Sequence, residues 1–214
     1  MSRIVDPPGS DRWGRLWQAV GARGDPRPCY ERLMQAYSES HRRYHDFQHI
    51  TNCLAVFETA RHLANQPDAV ETAIRFHDVV YEPRAQDNEE QSAALARRCL
   101  LEAGVGGEIA DSVSRLVLAT KSHASTEVNA AVLIDVDLSI LGQSEARFEE
   151  YERQIRKEYS WVPATIFAAK RAEILEGFLA RERIYTTDFF HERLERNARK
   201  NIQDSLRRLN SMIA

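Results

Sequence analysis

Apolar residues recur along this chain at spacings of three and four, the spacing that lines one face of a helix. The clearest stripe is Ile50, Cys53, Leu54 and Phe57, within a predicted helix over about 46–64. Further helices are predicted at about 11–20, 30–40, 67–81, 87–101, 109–120, 130–142, 145–159, 164–184 and 188–209. No stretch alternates apolar and polar residues for long, as a half-buried strand would. The pattern therefore predicts an all-α protein.

The segment from Ala130 to Gly142 is the one place where the pattern fits two structures. Its apolar run from Ala130 to Ile134 suits a short buried strand as well as a buried helix. Because no alternating partner strand lies nearby, we expect a buried helix. That helix carries Asp135 and Asp137 inward and ends at Gly142.

The length of the chain bounds its domain organisation. A chain of 214 residues can bury one sizeable core and is short for two. We therefore expect a single domain over 1–214, with a flexible tail at 1–9, a core at about 40–142 that carries the chemistry, and C-terminal helices at about 144–212. The last of these helices is basic, and we expect it to pack on the outside.

Composition argues against several classes of partner. The formal net charge is −3, which gives no reason to expect nucleic acid or an anionic membrane. The longest apolar run, Ala130 to Ile134, is far too short to span a bilayer.

The first nine residues lack the apolar core of a signal peptide. Cys29, Cys53 and Cys99 are predicted to be buried thiols in a reducing compartment, so we expect a cytoplasmic protein.

A histidine and an aspartate stand side by side in the apolar run from Arg75 to Tyr81. Neighbouring residues on a helix point about 100° apart, so His77 and Asp78 can aim at one point only at a helix end or bend. We expect Pro83 to supply that end. A buried carboxylate without a partner is costly, and a metal ion is one of the few partners that removes the cost. The pair therefore predicts a divalent metal site.

His49 and Asp137 complete an ordered set with this pair, H…HD…D. The local sequence around the set resembles a bacterial subgroup of the HD-domain superfamily, known as predicted metal-dependent phosphohydrolases of unassigned substrate. The segments that carry the resemblance are Tyr44-His45-(x)3-His49-Ile50, Phe76 to Tyr81, Asp87-Asn88-Glu89, Leu118 to Lys121, and Asp135 to Gly142. The resemblance extends over roughly residues 40–200.

The resemblance implies an HD-type helical bundle that binds one divalent metal ion through His49, His77, Asp78 and Asp137. Two imidazoles and two carboxylates suit manganese, iron, cobalt, nickel or magnesium better than a closed structural zinc site, although zinc stays among the candidates. It also implies hydrolysis of a phosphate ester or anhydride by a metal-bound water. The substrate would be a nucleotide or another small phosphorylated metabolite.

Catalytic roles beyond metal binding are predicted for Asp78, His123 and Glu82. His123 lies between the HD pair and Asp137, and it could contact a phosphate or donate a proton to the leaving group. Glu82, in the loop after the HD pair, is a candidate proton carrier, and so is Glu89.

Substrate contacts are predicted for Lys121, His45, Arg84 and Asp135. Lys121 could neutralise phosphate charge, or it could simply favour a helix C-terminus. His45 lies one helical turn before His49 and could line the pocket. Asp135 could replace Asp137 as a ligand, hold a ligand histidine from behind, or cap the turn that bears Asp137.

Two other functions fit the same residues. The first is an HD-fold oxygenase with two irons, which needs further histidines between the HD pair and Asp137. Only His123 lies in that interval, which favours one metal, unless Glu82 or Glu89 bridges a second ion. The second is a non-catalytic helical domain that binds a nucleotide, against which the presence of all four proposed ligands argues.

Overall fold

The predicted stripes fold as helices throughout the described chain. The computed structural model describes residues 10–213, and the predicted flexible tail at 1–9 lies outside them. The helices are α1 (Ser10–Ala19), α2 (Arg27–Tyr37), α3 (Phe47–Ala60), α4 (Pro67–Phe76), α5 (Asn88–Glu102), α6 (Gly107–Ala119), α7 (Val128–Asp137), α8 (Glu145–Glu158), α9 (Ala164–Leu179) and α10 (Asp188–Ile213). Residues 10–213 contain no strand, which confirms the all-α class.

Two central helices are buried on nearly every side. All residues of α4 from Ala69 to Phe76 and all residues of α7 from Asn129 to Val136 are buried. Helix α7 is apolar on nearly every side, which suits the middle of a bundle, whereas α4 also buries the polar residues Glu71, Thr72 and Arg75. The segment from Ala130 is therefore helical, as predicted, and a 3₁₀ turn at Leu138–Gly142 continues it. Both central helices contact α3 and α6, so their C-terminal ends lie inside the molecule.

Side-chain caps define where α3 and α7 begin. The Asp46 carboxylate accepts hydrogen bonds from the backbone N–H groups of Gln48 and His49, at 2.8 and 3.2 Å. The Glu127 carboxylate does the same for Asn129 and Ala130 at the start of α7. These caps satisfy N–H groups that have no partner within the helix. The first cap places His49 in the first turn of α3.

The helix end before the HD pair differs from the prediction. Helix α4 ends at Phe76, well before Pro83, so His77 and Asp78 lie in the turn that follows it. At the start of α5 the Asp87 side chain makes no cap hydrogen bond. Instead the Asn88 side chain exchanges two hydrogen bonds with the backbone of Glu82, both of 3.0 Å. That exchange closes the 82–88 loop.

The C-terminal helices are part of the same core. One contiguous apolar core extends from Trp13 in α1 to Leu209 in α10. Helix α10 buries one face, and Asn201 donates hydrogen bonds to the carbonyls of Leu141 and Gln143. This basic helix therefore lies on the outside of the bundle, as expected, with one face buried against it. Within residues 10–213, no helix combines the length and the apolar character needed to cross a membrane.

Candidate metal centre

Four side chains from three helices meet at one point inside the bundle. His49 comes from the first turn of α3, His77 and Asp78 follow the end of α4, and Asp137 is the last residue of α7. The two imidazoles are almost completely buried, at 3% and 2% side-chain exposure, whereas the Asp78 and Asp137 carboxylates are 20% and 15% exposed. We call these four residues the candidate metal centre.

The donor atoms of this centre lie at the spacing of ligands around one ion. His49 Nε2 is 3.2 Å from His77 Nε2, 3.5 Å from Asp78 Oδ2 and 3.3 Å from Asp137 Oδ1. His77 Nε2 is 3.0 Å from Asp78 Oδ2 and 3.5 Å from Asp137 Oδ1. Ligands about 2.1 Å from one ion lie about 3.0 Å apart at right angles and about 3.4 Å apart at the tetrahedral angle. The residues present therefore fit a divalent ion.

The backbone fixes which nitrogen of His77 faces the centre. Its Nδ1 lies 2.9 Å from the carbonyl oxygen of Ile74, which can only accept a hydrogen bond. Nδ1 therefore carries a proton, and in the neutral ring Nε2 presents its lone pair to the centre. A hydrogen bond of this kind to the outer nitrogen is usual for metal-binding histidines.

The charges of the centre compensate one another when no ion is present. Burial alone would lower the pKa of His77, but the carboxylates of Asp78 and Asp137 raise it well above its ordinary value. Burial would likewise raise the pKa of Asp137, but His77 and His123 hold it well below its ordinary value. Without metal, the carboxylates thus favour protons on the histidines, and the imidazoles favour ionised carboxylates. A bound ion would displace those protons.

Cys53 is a neighbour of the centre that we did not predict as a site residue. His49, Cys53 and Asp137 form a second group whose donor atoms lie within metal-binding reach of one another. However, the Cys53 sulfur is nearly equidistant from the two ring nitrogens of His49, at 3.7 and 3.8 Å. It therefore lies over the ring, away from the direction of the Nε2 lone pair. Cys53 is therefore placed less favourably for an ion than the two histidines and two aspartates.

Glu158 is a second residue that the sequence analysis missed. Its carboxylate accepts hydrogen bonds from the backbone N–H groups of Arg43, Tyr44 and His45, from the Tyr81 hydroxyl at 2.9 Å and from His45 Nδ1 at 2.7 Å. Burial would raise the pKa of Glu158, but these bonds, led by that of His45, lower it to about 2. Its position one turn beyond the buried Tyr151 and Ile155 on α8 was the available signal.

Arg42 is a third residue that the sequence analysis did not single out. Its guanidinium is buried and donates to the carbonyl oxygens of Asp78 at 2.7 Å, Val79 at 3.0 Å and His45 at 2.9 Å. Three such bonds fix the turn that carries the HD pair relative to the segment before α3. No sequence pattern indicates this role.

Two auxiliary histidines, His123 and His45, lie beside the centre. His123 Nε2 is 3.2 Å from Asp137 Oδ2, the oxygen of Asp137 that does not face His49. Its backbone has φ of 47°, and its carbonyl accepts a hydrogen bond from Arg181. The His45 ring stacks on Tyr81 at 4.2 Å between centroids and lies edge-on to His49 at 6.0 Å.

Three other predicted site residues make contacts elsewhere. The exposed Lys121 ammonium binds Glu90 and the Gln86 carbonyl. The exposed Glu82 carboxylate accepts from the backbone N–H of Arg84. The Arg84 guanidinium in turn lies over the Trp161 ring at 4.6 Å. None of the three contacts the candidate metal centre within the described residues, so the structure does not support their predicted roles there.

Asp135 is also corrected. Its carboxylate is fully buried and accepts from the backbone N–H groups of Thr186 and Thr187 and from the Thr187 hydroxyl, at 2.9, 2.8 and 2.7 Å. These bonds join α7 to the segment before α10. Asp135 is therefore neither a ligand, nor the support of a ligand histidine, nor a substrate contact, nor a cap for the turn that bears Asp137.

A cavity of about 290 Å³ opens beside His49 and Asp137. Its walls come from α3, from the turn after α7 and from the start of α8. No family model matches this chain, and neither a curated protein nor a solved structure is found to be similar to it. The description of the site therefore rests on its own geometry, which includes a His/Asp group that could hold a metal ion.

Proposed function

We propose that this protein is a metal-dependent phosphohydrolase that cleaves a phosphate ester or anhydride of a small phosphorylated molecule. The observation that carries the proposal is the candidate metal centre, where five of the six pairs of donor atoms are 3.0–3.5 Å apart. The resemblance of the local sequence to HD-domain phosphohydrolases agrees with that geometry. The fold alone would not indicate a function.

One side of the centre is shielded from solvent, and the other side is accessible to it. His49 and His77 are shielded from solvent, whereas parts of Asp78, Asp137, His45 and His123 remain exposed at 15–34% of their side-chain surface. A substrate phosphate can therefore approach from the carboxylate side. A divalent ion bound there supplies a water of lowered pKa and charge neutralisation for a phosphoryl oxygen.

His45 is the better placed of the two auxiliary histidines to move a proton. Glu158 is ionised and can only accept, so His45 Nδ1 donates to it across 2.7 Å. The other nitrogen, Nε2, has no partner within residues 10–213. A histidine held in this way by a carboxylate can take up a proton at Nε2 and, as the imidazolium, give that proton to a leaving oxygen. We assign this role to His45.

His123 has a different part in the proposed mechanism. Its Nε2 faces a carboxylate oxygen of Asp137, which orients that carboxylate and restrains its rotation. The Arg181 hydrogen bond to the His123 carbonyl holds the loop that carries it. We therefore assign His123 a positioning role through Asp137, in place of the proton donation that the sequence suggested.

The test combines metal content with turnover. Tag-free protein, an Asp78→Ala variant and a Glu82→Ala control are analysed by mass spectrometry for bound metal, and phosphate release from a panel of small phosphate esters and anhydrides is measured with added Mn²⁺, Co²⁺, Ni²⁺ or Mg²⁺. We expect close to one ion per chain in the wild type and the Glu82→Ala control, and loss of ion and activity in Asp78→Ala. Absence of metal and turnover in all three would overturn the proposal.

The same measurement separates the other two functions. Two irons per chain, with dioxygen consumed and no phosphate released, would instead support an oxygenase. Tight nucleotide binding without turnover under any of these metals would support a non-catalytic domain.

A further inference from the structure

The cavity beside the candidate metal centre differs in chemistry from the centre itself. One end is formed by His49 and Asp137. Of the remaining lining residues, only Arg147 is charged. The others are Tyr44, Asn52, Cys53, Ala55, Val56, Ser139, Ile140 and Gln143. Asp137 is thus the only acid in the lining, and Arg147 is the only lysine or arginine. A molecule that reaches the metal from this side would extend toward a cation.

The Arg147 guanidinium retains unused donors. Within residues 10–213, only its Nη1 has partners, and both are distant: Glu150 at 3.5 Å and Gln154 at 3.3 Å. Glu150 is 53% exposed, so solvent screens that pair, whereas Arg147 is only 26% exposed. Nε and Nη2 therefore remain available for the paired hydrogen bonds that a guanidinium makes to a carboxylate or a phosphate.

Two side-chain amides add uncharged hydrogen-bonding groups to the walls. The Asn52 carbonyl accepts from Gln48 at 2.9 Å, which leaves its amide N–H₂ group without a partner in the described chain. Gln143 donates to the Ser139 carbonyl at 3.3 Å, which leaves its own carbonyl oxygen without one. Such groups suit the hydroxyls of a polar ligand. The volume of about 290 Å³ lies near the lower limit for ligand pockets, so it fits a compact molecule.

We propose that this cavity binds the leaving-group part of a compact phosphate ester that carries a second anionic group, a carboxylate or a phosphate. Arg147 is the specificity-determining residue and pairs with that second group. The inference rests on the proposed function for the orientation of the substrate. The recognition of a second anion can nevertheless be measured as binding alone.

The experiment compares two esters that differ in one anionic group. Glycerol 3-phosphate and 3-phosphoglycerate have the same carbon skeleton, and only the second carries a carboxylate. Dissociation constants are measured by calorimetry with and without Mn²⁺, and phosphate release is followed in parallel, for the wild type, Arg147→Gln and Arg153→Gln. Arg153 is an exposed arginine on the same helix and outside the cavity lining, so it is the matched control.

We expect the wild type and Arg153→Gln to bind 3-phosphoglycerate at least about tenfold more tightly than glycerol 3-phosphate, and Arg147→Gln to lose that preference. Equal binding of the two esters by the wild type, a preference that survives in Arg147→Gln, or no binding of either ester would overturn the inference. Preferential binding without phosphate release would retain it and count against the hydrolase. Phosphate release without preferential binding of 3-phosphoglycerate would support the hydrolase and overturn the inference about Arg147.

Discussion

Among the buried charged groups of residues 10–213, the cluster around Glu71 and the candidate metal centre have their charges balanced in different ways. In the first, Glu71 accepts from Arg12 at 2.7 Å, Arg61 at 2.5 Å and Arg75 at 3.1 Å. We call these four residues the Glu71 cluster. Burial would raise the pKa of Glu71, but the hydrogen bond from Arg12 and the charge of Arg75 lower it to about 2. Every buried charge there has a permanent counter-charge.

The candidate metal centre has no such counter-charge. Within residues 10–213, no arginine or lysine side chain contacts its four donor atoms. Its carboxylates are balanced only by histidines, whose charge depends on bound protons. A permanent ion pair is a stable end state, whereas protons can be exchanged for a metal ion. The comparison indicates that the first cluster serves the fold and the second serves binding.

The largest effect that sharpens this contrast is expected from Glu71→Gln. The substitution leaves three buried or half-buried guanidinium groups without their shared counter-charge, so the free energy of unfolding should fall by about 3–5 kcal/mol. Urea unfolding of the metal-free protein measures it. Glu58→Gln is the control, because Glu58 pairs with the same Arg12 but is 57% exposed and should cost less than about 1 kcal/mol. Similar costs for the two variants would remove the distinction.

The candidate metal centre should instead respond to metal. At a free Mn²⁺ concentration about 100 times the dissociation constant, binding to the folded state alone should add about 3 kcal/mol to the free energy of unfolding. Asp137→Ala removes one ligand and should abolish the increase, whereas the exposed Glu82→Gln should retain it. Urea unfolding with and without Mn²⁺ measures the difference. Equal stabilisation of the two variants would locate the metal elsewhere.

The third prediction concerns Glu158, a buried carboxylate that belongs to neither cluster, and tests whether it acts through His45. Glu158→Gln removes the charge that holds His45 Nδ1–H, so kcat should fall by about 10–100-fold with metal content unchanged. The pH profile of kcat should also change, because the substitution removes the negative charge beside the His45 ring. Glu150→Gln, exposed on the same helix, is the control. If Glu158→Gln loses stability in urea but retains the kcat and pH profile of the wild type, the role of Glu158 is structural only.

A smaller effect is expected on the free energy of unfolding at acidic pH. The pKa of Glu71 is about 2 in the folded protein against an ordinary value of 4.5. Because the folded pKa is depressed, its stabilisation is complete above about pH 4.5 and is lost as the pH falls toward 2. Between about pH 7 and pH 3, the wild type should lose about 1 kcal/mol more than Glu71→Gln, after allowance for solvent screening. Parallel unfolding curves at the two pH values check this, and identical losses would contradict it.

The parts of the structure that were predicted correctly have local causes. The apolar stripe of α3 follows from residue spacing, and the helical choice for α7 from the absence of an alternating partner strand nearby. The meeting of His49 with His77 was instead expected from the resemblance to HD-domain proteins. Arg42 and Glu158 were missed because their contacts are not local. Glu158 bonds to backbone groups 113–115 residues away in sequence, and Arg42 to carbonyls 36 and 37 residues away. No periodicity encodes such a partner.

Dependence on non-local contacts also explains why some residues were wrongly predicted to lie at the candidate metal centre. Lys121, Glu82 and Arg84 all lie in loops after helix ends near the centre in sequence. Residue type and proximity in sequence suggested a phosphate site, but the direction of each side chain depends on the neighbouring loop. Asp135 and Asp137 illustrate the point on one helix, because two residues of separation turn their carboxylates toward different elements.

The smallest expected effect is that of Lys121→Met. The ammonium is exposed and pairs with Glu90 and the Gln86 carbonyl, so it does not neutralise charge at the candidate metal centre. An exposed pair of this kind contributes little, and KM for a phosphate ester should change by less than about twofold. Steady-state kinetics on Mn²⁺-loaded protein measure it, with Arg147→Gln beside it as the cation expected to matter. A tenfold rise in KM for Lys121→Met would restore its predicted phosphate role and extend the binding surface to the α5–α6 side of the centre.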